Sequence, residues 1–232
     1  MKKVVLVIAF LFLFSAVGAA SPLLDYSQGK VAIDLNLRPS GKLAYSEATL
    51  NGKSSNLDLG LTFGLGNKFA FQWLNQASKT KTYSFTITDG SDTITGSGHS
   101  KLTANQFNLL YLLDKNIAGF VGYTQAKNNV YGSGTYDGVP FTDNIPGKTV
   151  KGWQAGFTGA FPLGEKLTGY GTVGLGNKIE SFEFGVAYEL SKNAELNLFY
   201  KTVNYKDLQF QDDDDKYNLR VKGPGVGLTL KF

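Results

Sequence analysis

From Val31 to the C-terminus, apolar and polar residues alternate with a period of two in run after run. Val31, Ile33, Leu35 and Leu37 are interleaved with Ala32, Asp34, Asn36 and Arg38. Leu57, Leu59, Leu61, Phe63 and Leu65 follow against Asp58, Gly60, Thr62 and Gly64, and Phe69, Phe71 and Trp73 against Ala70 and Gln72. The same pattern returns at Phe107–Leu113, Trp153–Phe161, Phe182–Leu190, Leu196–Tyr200 and Val226–Phe232. Successive side chains of a strand point to opposite faces, so each run predicts a strand with one apolar face. Glycine-rich strands are expected at 117–124 and 167–175, and the pattern does not fix the facing of the second.

The connections alternate in character. Turn residues near 67, 115, 163 and 192 predict tight hairpins, whereas the links at 39–55, 75–104, 125–148 and 206–216 are long and polar; the link near Asn177 is short. Counting up and down runs gives about ten strands, or eight if a glycine-rich run is not a strand. Short turns at one end and long loops at the other are the asymmetry of an antiparallel up-and-down transmembrane β-barrel with both termini on the periplasmic side.

A secreted sandwich would alternate too, but its second face would carry long charged residues. Here that face is mostly Gly, Ala, Thr, Asn and Gln with isolated charges, as a narrow lumen requires. The 28 glycines suit such an interior, and Trp73, Trp153, Tyr123, Tyr188 and Tyr200 suit interfacial girdles. The mean hydropathy of −0.12 does not oppose this, because the two faces of a barrel strand cancel in an average.

Lys2 and Lys3, the apolar run Val4–Phe14 and the small residues up to Ala20 read as a signal peptide over 1–20, leaving 21–232 as one barrel domain. The apolar run is shorter than a spanning helix needs. Half of the formal charge of +4 belongs to Lys2 and Lys3, and no basic block stands elsewhere, so nucleic acid is set aside as a partner. With no cysteine, disulfides and thiolate metal sites are excluded.

The last strand carries a more specific signal. Gly227, Leu230 and Phe232, with Val226 and Leu228 extending the apolar face, match the terminal strand by which bacterial outer-membrane proteins are recognised for assembly; Gly225 stands where a polar residue is common. The chain resembles the small outer-membrane barrels of the OmpA transmembrane domain, OmpX and OmpW type. The resemblance implies location in a bacterial outer membrane, contact with its lipid and lipopolysaccharide, and the barrel-assembly machinery as a partner during biogenesis. It assigns no activity.

Candidate chemistry is sparse. Gly169-Tyr170-Gly171-Thr172-Val173-Gly174 fits a dinucleotide fingerprint, but a strand follows it where a helix is required. His99, the only histidine, is read as a polar loop residue; Asp89, Asp92, Ser97 and Ser100 lie near it without matching the spacing of a barrel-rim hydrolase. The run Asp212–Asp215 reads as a solvated loop tip, without the spacing of a calcium loop. No catalytic, cofactor or metal residue is assigned. Asp34, Arg38, Asp58, Glu183, Glu189, Glu195, Lys201, Arg220 and Lys231 fall on the polar face and are expected in the lumen, mostly pairing across it, with Asp58→Asn tolerated. The leading expectation is a non-enzymatic envelope barrel passing small solutes at most through a narrow channel. The alternatives are an adhesin or ligand-binding barrel using the long loops, with Tyr131, Tyr136 and Phe141 in contact, and a rim hydrolase around His99.

Overall fold

The computed structural model describes residues 23–45, 52–89, 92–211 and 214–232, and every regular element in them is a strand. The signal-peptide segment 1–20 lies outside the described residues. The strands are β1 (Val31–Tyr45), β2 (Gly52–Gly66), β3 (Phe69–Thr80), β4 (Tyr83–Asp89), β5 (Asp92–Asp114), β6 (Ile117–Tyr136), β7 (Val139–Ile145), β8 (Val150–Pro162), β9 (Leu167–Gly176), β10 (Ile179–Ser191), β11 (Ala194–Leu208) and β12 (Tyr217–Lys231).

Ten of these close on themselves in the antiparallel order β5-β3-β2-β1-β12-β11-β10-β9-β8-β6, with β5 pairing β6 to complete the ring. A closed ring has no edge strand, which lets it stand in hydrocarbon. The seam between first and last strands ends at Phe232, whose N–H donates to Val31 O (2.9 Å) while its carbonyl accepts from Val31 N–H (3.1 Å).

The tight hairpins at Gly66–Phe69, Asp114–Ile117, Pro162–Leu167 and Ser191–Ala194 fall where the turn residues predict them, all at one end. Asn67 and Lys68 both adopt positive φ (51° and 70°), the twist that a two-residue hairpin demands.

The long links are different from expectation. Residues 75–104 and 125–148 are mostly strand: β5 and β6 run for 23 and 20 residues, about twice what a crossing needs. Their far halves are flanked by β4 and β7, giving the sheet β4-β5-β6-β7 beyond the barrel. Asp137 and Gly138, at φ 48° and 80°, make the β6–β7 turn, a hairpin signal present in the sequence but absorbed into a supposed loop. The links at 39–55 and 206–216 likewise shorten, since β1 reaches Tyr45, β2 starts at Gly52, β11 reaches Leu208 and β12 starts at Tyr217.

The apolar face points outward. Leu37, Leu65, Val121, Trp153, Phe157, Leu175, Phe184 and Leu198 all stand exposed around the barrel. A band of this extent is stable only against hydrocarbon. β9, unassigned from sequence, places Leu167, Val173 and Leu175 outward and Thr168 inward.

Candidate functional site

The interior is filled in three layers. At the hairpin end, Leu23, Leu24 and Tyr26 precede β1 and fold into the lumen. Leu24 and Tyr26 pack with Ala70, Leu110, Ala118, Phe120 and Ala160. Gly66 N–H donates to Tyr26 O (2.9 Å) and Gly64 N–H to Lys30 O (2.7 Å), anchoring this plug to β2. Sequence reading missed the plug, because it has no alternation; the apolar pair Leu23-Leu24 so soon after the proposed cleavage point was the available signal.

The middle layer is polar. Arg38 is fully buried, and its Nη2 donates to both oxygens of Asp58 at 2.9 Å. Lys201 Nζ lies 3.3 Å from Asp58 Oδ2 and 3.3 Å from Glu183 Oε2, so two cations and two carboxylates form one cluster. Lys231 Nζ donates to Glu195 Oε1 (2.6 Å), and Asn197 Nδ2 donates to Thr229 Oγ1 (2.8 Å), which donates to Asp34 Oδ1 (2.6 Å). Along the wall from β3 to β8, Asn108 Nδ2 donates to Gln72 Oε1 (2.8 Å) and its Oδ1 accepts from Gln106 and Gln154. A cavity of about 110 Å³ remains, lined in part by Asp34, Asn36, Asp58, Gln72, Asn108 and Lys201.

The backbone leaves room for this layer at chosen points. A Cβ at Gly225 would meet the Phe199 ring and Arg38 Cγ, and one at Gly227 would collide with the Asn36 carboxamide. The glycine at 225, unusual for a terminal assembly strand, thus has an interior reason in Arg38. At the end of the same strand Phe232 is exposed, and Leu230 pairs in register with Ile33 and Ala194.

Above the polar layer the lumen is apolar again. Leu102, Ala104, Ala126, Ile179, Val203, Tyr205, Leu208, Leu219 and Val221 form a buried cluster. Two segments close over it beside the short β9–β10 turn: Gly147 bridges to Phe210, Lys148 N–H donates to Gln209 O (2.8 Å), and Gln211 N–H donates to Pro146 O (2.9 Å).

Arg220 corrects the sequence reading. It is exposed, between Leu219 and Val221, which are fully buried. The apolar and polar faces of β12 exchange places at its outer end, because there the lumen holds the apolar cluster and the outside meets water. In β1 the bulge between Leu37 and Lys42 instead shifts the alternation itself, setting Gly41 inward and Lys42 outward. Glu189 is half-buried near the hairpin end, opposite Glu195 in register.

His99 is not in a loop. It sits in β5 beyond the apolar band, its ring stacked on Tyr131 with centroids 5.1 Å apart. Ser100, next in the strand, faces the other way and donates to Asn128 Oδ1 (2.6 Å), so the two do not form a nucleophile–base pair. The side chains of Asp89 and Asp92 lie outside the described ones. Tyr136 is exposed, Phe141 is half-buried in β7, and Tyr131 is taken up by His99. In the acidic run, Asp212 and Asp213 lie outside the described residues, and Asp214 is exposed with Lys148 Nζ 3.3 Å away.

No protein-family model and no curated protein matches the sequence. Solved structures do resemble the fold. The translocator domain of the autotransporter NalP from Neisseria meningitidis aligns over 90% of this chain and 91% of that one, with 10% identity and a TM-score of 0.53. The outer membrane protease OmpT from Escherichia coli aligns over 92% and 100%, with 12% identity and a TM-score of 0.54. At these identities the likeness reaches the fold and stops short of activity. Taken with the closed ten-stranded ladder and the outward apolar band, it gives the chain the fold of a transmembrane β-barrel of the kind found in outer-membrane proteins.

Proposed function

We propose that the protein is a non-enzymatic, non-conducting barrel of the outer membrane, exported by a cleaved signal peptide, whose work is done by the external sheet β4-β5-β6-β7. The observation that carries this reading is the filled lumen. A channel needs a continuous wet path, and here the polar layer lies between the N-terminal plug and the apolar cluster. The charges between them are spent on one another rather than on a passing solute.

The external sheet has the opposite character. β7 is exposed along almost its whole length, with Val139 and Ile145 on its surface, and Tyr83 and Tyr136 are exposed on β4 and β6. A rigid mount carrying solvated aromatic and β-branched residues is how barrels and sandwiches present recognition surfaces. Among the described residues no group of three or more His, Cys, Asp or Glu could hold a metal ion, and His99 has Lys79 and Lys101 as its charged neighbours.

The test has two arms. Refolded protein in a planar bilayer is expected to give no discrete conductance steps, and regular steps would overturn the sealed lumen. Bacteria displaying the full chain are expected to bind members of a glycan and matrix-protein panel, and a chain with β4, β7 and the far halves of β5 and β6 replaced by short turns is expected not to. Equal binding by the two would overturn the external sheet as the working part.

A further inference from the structure

The register of the external sheet assembles a site from residues far apart in the chain. Tyr83, Gly98, Gly132 and Asp143 form one row across β4, β5, β6 and β7. Residues directly opposite on neighbouring strands share a face. In the next row toward the tip Gly96 and Gly134 stand beside Phe141, and beyond them Ile94 and Tyr136 stand beside Val139. The same face of β5 leads down to the buried Leu102 and Ala104, so it is the one that overlooks the barrel mouth.

The glycines on this face differ in what lies against them. A Cβ at Gly134 would collide with Thr95 O, because β5 and β6 approach there as only glycine permits. One at Gly98 would meet Tyr83 Cζ and Oη at 3.4 and 3.3 Å, so the Tyr83 ring lies down across β5 and carries its hydroxyl to the middle of the sheet. At Gly132 an added Cβ would meet only Ser97 O, at 4.0 Å. Neighbouring strands are about 4.8 Å apart. Tyr83 covers the step from β4 to β5, Asp143 stands on β7, and the position between them is bare. A slot results, about one strand spacing wide, floored by flat backbone, with a phenol hydroxyl on one side and a carboxylate on the other. Asp143 is exposed, and among the described residues no cation lies within ion-pair distance of it. The opposite face has no such gap, since Ser84, Ser97, Ser133 and Thr142 occupy the corresponding row.

We infer that the slot holds one neutral pyranose ring of a polysaccharide, its C–H face on the floor over Gly132 and its hydroxyls on Tyr83 Oη and the Asp143 carboxylate. This rests on the external sheet being the working part of the protein, and it names the ligand class and the contact residues. An ionised carboxylate is an acceptor with two oxygens, which suits the neighbouring hydroxyls of a sugar. Phe141 and Tyr136, in the rows above, offer apolar surface to the next ring of a chain. An extended peptide would pair with a sheet edge and need a pocket at every second residue, whereas this floor is one ring long. Asp143 is the sole charge in the three rows, and it repels a sulfated or phosphorylated ligand.

The probes are cellohexaose and maltohexaose, titrated by calorimetry into refolded full chain in a polyoxyethylene detergent, which carries no sugar. At least one is expected to bind, with the same affinity at about 0.05 and about 0.5 M salt, because the ligand bears no charge to screen. Gly132→Val places a strand-favouring residue in open space, so the sheet keeps its fold while binding weakens about tenfold or more. Asp143→Ala is expected to weaken it as much, and Tyr83→Phe, which keeps the ring and loses the hydroxyl, about fivefold. Ser133→Val and Thr142→Val, on the opposite face, are expected to bind as wild type does. Limited proteolysis checks that the external sheet is intact in each variant. Binding of neither probe, wild-type affinity in Gly132→Val or Asp143→Ala, or binding lost at high salt, as an ammonium ligand would show, overturns the slot. Those results leave the external sheet as the working part if its removal still abolishes binding by displaying bacteria. Equal binding with and without the sheet removes both.

Discussion

Replacing Asp58 by Asn removes one charge from the most buried ion cluster in the barrel. In the folded protein Asp58 receives Arg38 Nη2 at 2.9 Å on both oxygens and Lys201 Nζ at 3.3 Å, while Arg38 is 0% and Asp58 5% exposed. Taking the charges as about 4 Å apart in a medium of effective dielectric near 20, one such attraction is worth ~4 kcal/mol. Breaking a buried pair by removing one partner costs ~3–5 kcal/mol, because the survivor stays desolvated. Lys201 keeps Glu183 at 3.3 Å and loses less than Arg38, whose Nε and Nη1 have no protein partner to fall back on. The asparagine oxygen still accepts one hydrogen bond from Arg38, which recovers ~1 kcal/mol. The expected loss is therefore about 3 kcal/mol, contrary to the tolerance that a wet lumen would allow. The double variant Arg38→Met/Asp58→Leu, which replaces the pair with apolar volume, is expected to recover most of it. Urea titration of the barrel in short-chain vesicles measures both, followed by fluorescence of Trp73 and Trp153 and by the gel shift of the folded form. Asp58→Asn within 1 kcal/mol of wild type would mean that water in the lumen solvates Arg38, and the sealed interior would be wrong.

The remaining predictions concern the outward face and the seam. Leu61 lies on the outward side of β2 between Leu59 and Phe63 and pairs with Ile33 and Trp73, so Leu61→Arg is expected to cost ~2–4 kcal/mol in the same titration, whereas Leu61→Phe costs little. Deleting Phe232 removes its two ladder hydrogen bonds to Val31 together with the exposed terminal ring, and the amount of barrel in isolated outer membranes is expected to fall severalfold. Wild-type levels there would refute an assembly role for that residue.

The alternation of Val31–Leu37, Leu57–Leu65 or Phe182–Leu190 determined the strands by itself, because a period of two can be satisfied only by putting one set of side chains on each face of a sheet. The small residues on the second face and the placement of turn residues pointed to the barrel and to about ten strands, while eight stayed open until the pairing of β5 with β6 closed the ring at ten. Sequence did not separate loop from strand at 75–104 and 125–148. Outside the membrane both faces of β4-β5-β6-β7 meet water, so the pattern that marks a strand by its apolar face is lost there. Nor did it give Arg220 its outward place. That depended on what fills the lumen at the outer rim, where Leu219 and Val221 turn in to join side chains from β5, β6 and β11. The pairing of Arg38 with Asp58 and Lys201 and the plug at Tyr26 join residues far apart in sequence. Which inward residues meet depends on how each strand is offset from the next as the sheet closes. That offset is a property of the whole ring, and no single run of residues contains it.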